Sequence, residues 1–359
     1  MKRIFVIGMS SDKGGVESYI TNICSRLNKQ MFEIVYQLPE MTIDGKKWVS
    51  PLNRHRYLKY RRFWKLFYRD NKFDVLYMNT CDIVSIDQLR FAKAARVPVR
   101  IIHSHSTGNQ QEINKKMSLF HRVLERHSRK VLDRYATHLL ACSEAAGEWM
   151  FDGRSFSVIK NGIDLLKYRY NEHTRERLRA SLGIAEGKLI GIIGRLDPEK
   201  NPTFSLKVVQ RVLSDNADFT AVFVGDGELR RAIESSAKKA DLEGRVIFTG
   251  AVDNVNEWLS AIDCLLMPSL FEGLPFVLVE AQAAGLPCVI STAVSEEANI
   301  SGELQYMSLE EPINAWEDAV VKSANRSRYI AEEKLIAAGY SINDSVSTVE
   351  RIITEAPND

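Results

Sequence analysis

Short runs of β-branched and other apolar residues recur at 4–8, 32–38, 75–79, 99–103, 138–142 and 157–160, and the segments between them place apolar residues at helical spacing. Strands that alternate with long helical connections pair in parallel, because a parallel partner requires a crossover. The pattern pauses at Asn161-Gly162-Ile163-Asp164 and restarts with runs at 189–194, 219–225, 246–250, 264–268 and 287–291. The predicted class is α/β, with two doubly wound, Rossmann-like parallel-sheet domains, 1–165 and 166–359, facing across a cleft. A chain of 359 residues is too long for one comfortable core, which agrees with that division. Residues 313–359 read as helical and polar, and the last helices, about 335–359, are expected to pack back on the first domain.

Ligands of open parallel sheets bind beyond the carboxyl ends of the strands, so the residues that follow each predicted strand are the first site candidates. After the first run, Gly14 and Gly15 open a helix and let a backbone approach a ligand that a β-carbon would exclude; an ordinary tight turn is the competing reading. The spacing gives neither a dinucleotide fingerprint nor a Walker loop. In the second half, Gly194-Arg195-Leu196-Asp197-Pro198-Glu199-Lys200 puts two cations beside a helix start, as a departing diphosphate requires, unless both side chains are merely solvated. Further on, Glu272-Gly273-Leu274-Pro275 leads into a helix that carries Glu280 in its second turn. Two carboxylates so placed can accept hydrogen bonds from separate hydroxyls of one ligand, against a capping and a solvated role. His103 and His105 close a strand of the first half, where a structural histidine is the competing reading.

Hydrophobic residues make up 45% and charged residues 26%, which excludes a disordered chain. The apolar start is shorter than a signal-peptide core, and no run is long enough to span a membrane, so a cytoplasmic location is expected. The five cysteines lack metal or redox spacing, no Asp-x-Asp pattern occurs, and catalysis without a metal or cofactor is expected, the cation pair acting instead. The net charge of +2 conceals an asymmetry: residues 1–160 hold 28 Lys and Arg against 15 Asp and Glu, and the rest hold 20 against 31. Residues 46–72 carry ten of these cations and one acid, and Tyr60, Phe63, Trp64 and Phe67 recur there as one helical stripe. Either this stripe lies on an anionic membrane face, making the protein peripheral at the inner side of the cell membrane, or it packs on the first sheet. Nucleic acid is not an expected partner, since no binding motif accompanies the charge.

Together, Gly14-Gly15-Val16-Glu17-Ser18, Ala141-Cys142-Ser143-Glu144, Lys160-Asn161-Gly162-Ile163-Asp164 and the Glu272-to-Glu280 element resemble family 4 retaining glycosyltransferases of GT-B fold, of the bacterial capsule and exopolysaccharide type. The resemblance spans nearly the whole chain. It implies that Glu272 contacts donor-sugar hydroxyls, Glu280 the ribose, and Arg195 and Lys200 the diphosphate. It also implies that the Gly14-Gly15 loop closes over the donor, that Gly273, Leu274 and Pro275 line the sugar site, and that His103, with His105 as rival, approaches the reacting sugar. The implied activity is metal-free, retaining transfer from a nucleotide-diphosphate sugar, UDP by family habit, to a glycan or lipid-diphosphate-linked acceptor in cell-surface polysaccharide synthesis. A non-catalytic subunit that activates a partner transferase is the alternative, although the chain keeps all four of Arg195, Lys200, Glu272 and Glu280.

Overall fold

The computed structural model describes all residues except 10–13, 51–55, 109–118, 185, 273 and 356–359. Its contacts divide the chain into two units, Met1–Gly162 with Ile342–Asp359, and Ile163–Ser341.

The first unit holds a six-stranded parallel sheet in the order β2-β1-β5-β6-β7-β8, formed by Phe32–Tyr36, Lys2–Ile7, Val75–Thr80, Val99–Ser104, His138–Ala141 and Ser157–Val158. Helix α1 (Gly15–Cys24) follows β1. The hairpin of β3 (Glu40–Ile43) and β4 (Lys46–Val49) was not anticipated, although Asp44-Gly45, with φ of 49° and 76°, is the turn dipeptide that two-residue hairpins favour.

Helix α2 (Tyr57–Asp70) decides the question left open for residues 46–72. Tyr60, Trp64, Phe67 and Tyr68 are buried and Phe63 is packed against the same cluster, with Phe5 of β1 5.1 Å from Phe67 and 6.0 Å from Trp64 between ring centroids. Trp48 of β4 meets Phe67 edge-on at 5.2 Å. The aromatic stripe is therefore core: of the two readings left open, packing on the first sheet holds and the membrane-facing stripe does not. A sheet face of β-branched and aromatic residues offers these rings a dry partner within the same unit. The opposite face of α2 remains exposed and basic, with Lys59, Arg61, Arg62, Lys65 and Arg69. Residues 51–55, within the same stretch, lie outside the described residues.

Further α-helices of this unit among the described residues are α3 (Asp87–Ala94), α4 (Leu119–Val131) and α5 (Glu144–Phe151), the last capped by Ser143, whose hydroxyl accepts from the Ala146 N–H at 3.1 Å. The last helix of the chain, Ile342–Thr354, also belongs to it. Lys2 Nζ donates to the Ile353 carbonyl at 2.9 Å, the Asn28 N–H to Glu350 at 2.8 Å, and Ser345 Oγ to the Lys160 carbonyl at 3.1 Å.

The second unit is a six-stranded parallel sheet in the order β11-β10-β9-β12-β13-β14: Val246–Gly250, Phe219–Val224, Lys188–Ile193, Cys264–Met267, Cys288–Ser291 and Gln305–Met307. Strand order reverses between β9 and β12, the switch point at which such sheets open a crevice. Below that edge, Asp263 pairs with Arg175 at 2.7 Å and Arg179 at 3.0 Å and accepts from the Leu189 N–H at 2.8 Å, pinning the starts of β9 and β12 together. Residues 335–341, within the stretch expected to return to the first unit, belong to this one, where Leu335 and Tyr340 are buried with Ile163, Val279 and Ala283.

Candidate active site

The crevice edge of the second unit is built by close backbone approaches. Strand β9 is followed by Gly194 (φ 144°), whose N–H donates to the Val224 carbonyl at 3.0 Å. The end of β10 crosses so tightly that a β-carbon on Gly225 (φ 143°) would stand 1.9 Å from the Gly194 carbonyl oxygen. Past this crossing Leu196 is buried and anchors the chain, leaving Arg195 on the exposed side with 63% of its side chain accessible.

Asp197 then caps a single 3₁₀ turn, Pro198–Lys200, accepting from the Lys200 N–H at 3.2 Å with one carboxylate oxygen and pairing with Arg195 at 3.0 Å through the other. Asn201, in left-handed conformation at φ 53°, ends the turn and starts the helix Pro202–Asp215. Two bonds tie this turn to the segment leaving β12: Asn201 Nδ2 donates to the Pro268 carbonyl at 3.2 Å, and the Leu270 N–H to the Glu199 carbonyl at 2.8 Å.

That tie brings Lys200 and Glu272 into a direct ion pair, with Lys200 Nζ against Glu272 Oε1. Ser269 Oγ donates to the same carboxylate oxygen at 3.2 Å, and the Ser269 carbonyl is held by Ser291 Oγ at 2.6 Å. Both side chains of the pair are mostly buried, at 23% and 13% exposure, so they face each other with little screening. Arg195 reaches this pair through Asp197. A residue that composition and spacing had passed over thus orders two cations, and its signal was legible: an Asp followed by Pro at the first position of a turn is a capping pattern.

Gly273 lies outside the described residues. Leu274 is half-buried, and Pro275, in extended conformation, is the N-cap of the helix Phe276–Ala283 rather than its first residue. Glu280 is carried in the second turn of that helix, where Tyr168 hydrogen-bonds it and Lys167 lies nearby. Burial pushes its carboxyl up to about 7, which the Tyr168 hydrogen bond and the Lys167 charge only partly counter. Of the four charged site residues expected in this unit, Arg195, Lys200 and Glu272 are linked through named contacts, and Glu280 has its own partners on the helix Phe276–Ala283.

In the first unit Gly14 is the N-cap of α1, and its N–H donates to Glu17 Oε2 at 3.1 Å; a β-carbon on Gly14 would sit 2.8 Å from that oxygen. Gly15 is the first residue of the helix. His103 is fully buried, with Nδ1 2.9 Å from the Tyr77 hydroxyl, which in turn lies 2.8 Å from the Tyr19 hydroxyl. His105 is half-buried, with Nε2 3.0 Å from Asn79 Oδ1 and its ring centroid 4.2 Å from that of His103. Burial holds both imidazoles neutral, taking His105 down to about 3 and His103 also well below its usual range.

Comparison with known proteins gives the family of the chain. The family described as "Glycosyltransferase Family 4" matches residues 13–166, and the one described as "Glycosyl transferases group 1" matches residues 187–325. EpsF of Bacillus subtilis (strain 168), whose name assigns glycosyltransferase activity provisionally, is 30% identical over 97% of this chain and 95% of its own. An Escherichia coli protein named UDP-Gal:alpha-D-GlcNAc-diphosphoundecaprenol alpha-1,3-galactosyltransferase is 26% identical over 71% of this chain and 67% of its own. Among solved structures, HepE of Anabaena in complex with UDP superposes with a TM-score of 0.72 at 18% identity, covering 99% of this chain and 100% of its own. The lipopolysaccharide glycosyltransferase WaaG superposes at 0.71 and 16% identity, with coverage of 99% and 100%. These two likenesses carry the GT-B fold. On the identity and coverage shared with EpsF, and on the two matched families, the chain belongs to the family 4, group 1 glycosyltransferases.

Proposed function

We propose that the protein is a retaining, metal-independent hexosyltransferase of cell-surface polysaccharide synthesis, moving a sugar from UDP to a glycan or lipid-diphosphate-linked acceptor. The observation that carries this reading is the contact chain from Arg195 through Asp197 and the Lys200 turn to Glu272, at the switch point of the second sheet. A diphosphate entering there meets two cations in place of a metal ion. Glu272, released from Lys200 by the incoming phosphate, is free to accept from hydroxyls of the sugar, and Glu280 from the ribose. Gly14 and Gly15 leave room for the donor at the start of α1. His105, the less buried of the two histidines, is assigned to the reacting sugar in place of His103. In the transfer step the acceptor oxygen bonds to the anomeric carbon on the face from which the diphosphate departs. The acceptor proton passes to a diphosphate oxygen, and no protein nucleophile is consumed. The UDP complexes of HepE and the acceptor in the name of the Escherichia coli relative support the choice of donor and acceptor class.

An acceptor-dependence assay tests the activity: UDP should be released from a UDP-sugar only when acceptor is present, and EDTA should leave the rate unchanged. Release that never responds to any acceptor would favour a non-catalytic subunit.

Glu280 gives the site a pH dependence whose sign follows from its environment. Its carboxyl is protonated below about 7 and ionised above. A carboxylate accepts two ribose hydroxyls better than an acid does, so UDP affinity should rise with pH through that value. Because the folded value lies above the ordinary 4.5, the same group costs stability as pH climbs between the two. Calorimetric UDP titrations from pH 5.5 to 8.5 should show this rise, and Glu280→Gln should flatten it; an unchanged pH profile in the variant would remove the ribose role.

The exposed face of α2 supports the membrane-surface part of the proposal on charge alone. Lys59, Arg61, Arg62, Lys65 and Arg69 lie in solvent beside Leu58, which is 79% exposed. No helix among the described residues is long and apolar enough to cross a membrane. Binding to vesicles containing anionic lipid is expected at low salt and should be lost with Arg61, Arg62 and Lys65 changed to Glu, since each cation near such a surface contributes about 1 kcal/mol. Equal sedimentation of both proteins would rule the surface out.

A further inference from the structure

The order of the first sheet reverses between β1 and β5, so its carboxyl edge also opens at a switch point. Three residues converge there: Gly8 just after β1, Asn79 near the end of β5, and His105 just after β6. Asn79 is 3% exposed, and its amide is oriented by the chain, because Nδ2 donates to the Ile7 carbonyl at 3.3 Å. Its Oδ1 is thereby the atom that faces His105 Nε2 at 3.0 Å. A carbonyl oxygen only accepts, so Nε2 must carry the proton. The ring is braced on two further sides, with its centroid 4.2 Å from that of His103 and 4.8 Å from that of Tyr19, both pairs tilted, while the His105 backbone N–H donates to the Thr80 carbonyl at 3.0 Å. His103 is itself held by the Tyr77 hydroxyl, which the Tyr19 hydroxyl holds in turn.

We propose that Asn79 is a positioning residue that locks His105 in the Nε2–H tautomer and so offers Nδ1 as a hydrogen-bond acceptor for a hydroxyl of the transferred sugar. The second half of this statement rests on the assignment of His105 to the donor sugar; the lock does not. A neutral imidazole with one bound proton has one lone pair, and the amide decides which nitrogen keeps it. The same geometry accounts for Gly8 at φ 118°: a β-carbon there would stand 2.6 Å from the Asn79 carbonyl oxygen and 2.9 Å from its Cβ, pushing Asn79 off the histidine.

Long-range ¹H–¹⁵N correlation spectra of the full-length protein, labelled at histidine and assigned with His105→Gln, test the lock. His105 should show a protonated Nε2 and an unprotonated Nδ1 at pH 7.5, and Asn79→Leu should abolish that preference. In the assay, Asn79→Leu should lower kcat about tenfold, the scale of one lost orienting hydrogen bond, with KM for the donor nearly unchanged. A proton on Nδ1 in the wild-type protein overturns the proposal without reference to any variant. So does an Asn79→Leu protein that keeps both the tautomer and its turnover. If the lock is found but His105→Ala retains full turnover, the lock stands and the donor-facing role of His105 falls.

Discussion

Lys200→Ala is expected to lower kcat by roughly 10²–10³, the scale of losing one preorganised transition-state donor. The size follows from where the ammonium is held. Its turn is capped by Asp197, tied to β12 by Asn201 and the Leu270 N–H, and its Nζ already sits against Glu272. The charge that develops on a leaving diphosphate therefore meets a cation that need not be gathered from solvent. Removing it also leaves the Glu272 carboxylate, only 13% exposed, without its ion partner and repelling the same phosphate. Lys200→Arg should recover little, because a planar fork cannot occupy the place of a point charge. Single-turnover UDP release with saturating donor is the measurement, and a variant within a few-fold of wild type would take Lys200 out of the chemistry.

Trp64→Ala is expected to destabilise the protein by about 3–5 kcal/mol, the range for deleting a large buried ring. Trp64 has no exposed surface and contacts Phe5, Tyr60, Phe63 and Phe67, so the surrounding rings leave a cavity rather than collapse. Its indole Nε1 has no hydrogen-bond partner among the described residues, so the loss is one of packing. Urea midpoints would show it. Charge reversal of the exposed Arg61, Arg62 and Lys65 on the same helix should leave the midpoint nearly unchanged, separating the buried face from the basic one.

The two parallel sheets were legible because strands buried on both faces read as short continuous apolar runs, as at 75–80 and 219–224. The β3–β4 hairpin was not, since its strands are four residues each and one of them lay inside a basic stretch that drew attention to charge. The aromatic stripe at 60–67 had helical period, but period alone does not say whether a stripe meets a bilayer or a neighbouring strand; Phe5 and Trp48 decide that, and both lie on strands outside the helix, Phe5 more than fifty residues away. Arg195, Lys200 and Glu272 could be picked out because each follows a strand. The pairing of Lys200 with Glu272, 72 residues apart, depends on β9 and β12 being neighbours, which no local pattern encodes. The preference for His105 over His103 likewise rests on burial: one lies in β6 and the other just after it, and only the packing of Tyr77 and Tyr19 puts one ring beneath the other.

The most direct test is a crystal structure of the wild-type protein with UDP. The pyrophosphate should lie between Arg195 and Lys200 with Glu280 on the ribose hydroxyls. A nucleotide bound elsewhere, with the Lys200–Glu272 pair untouched, would contradict the assignment of this edge as the donor site.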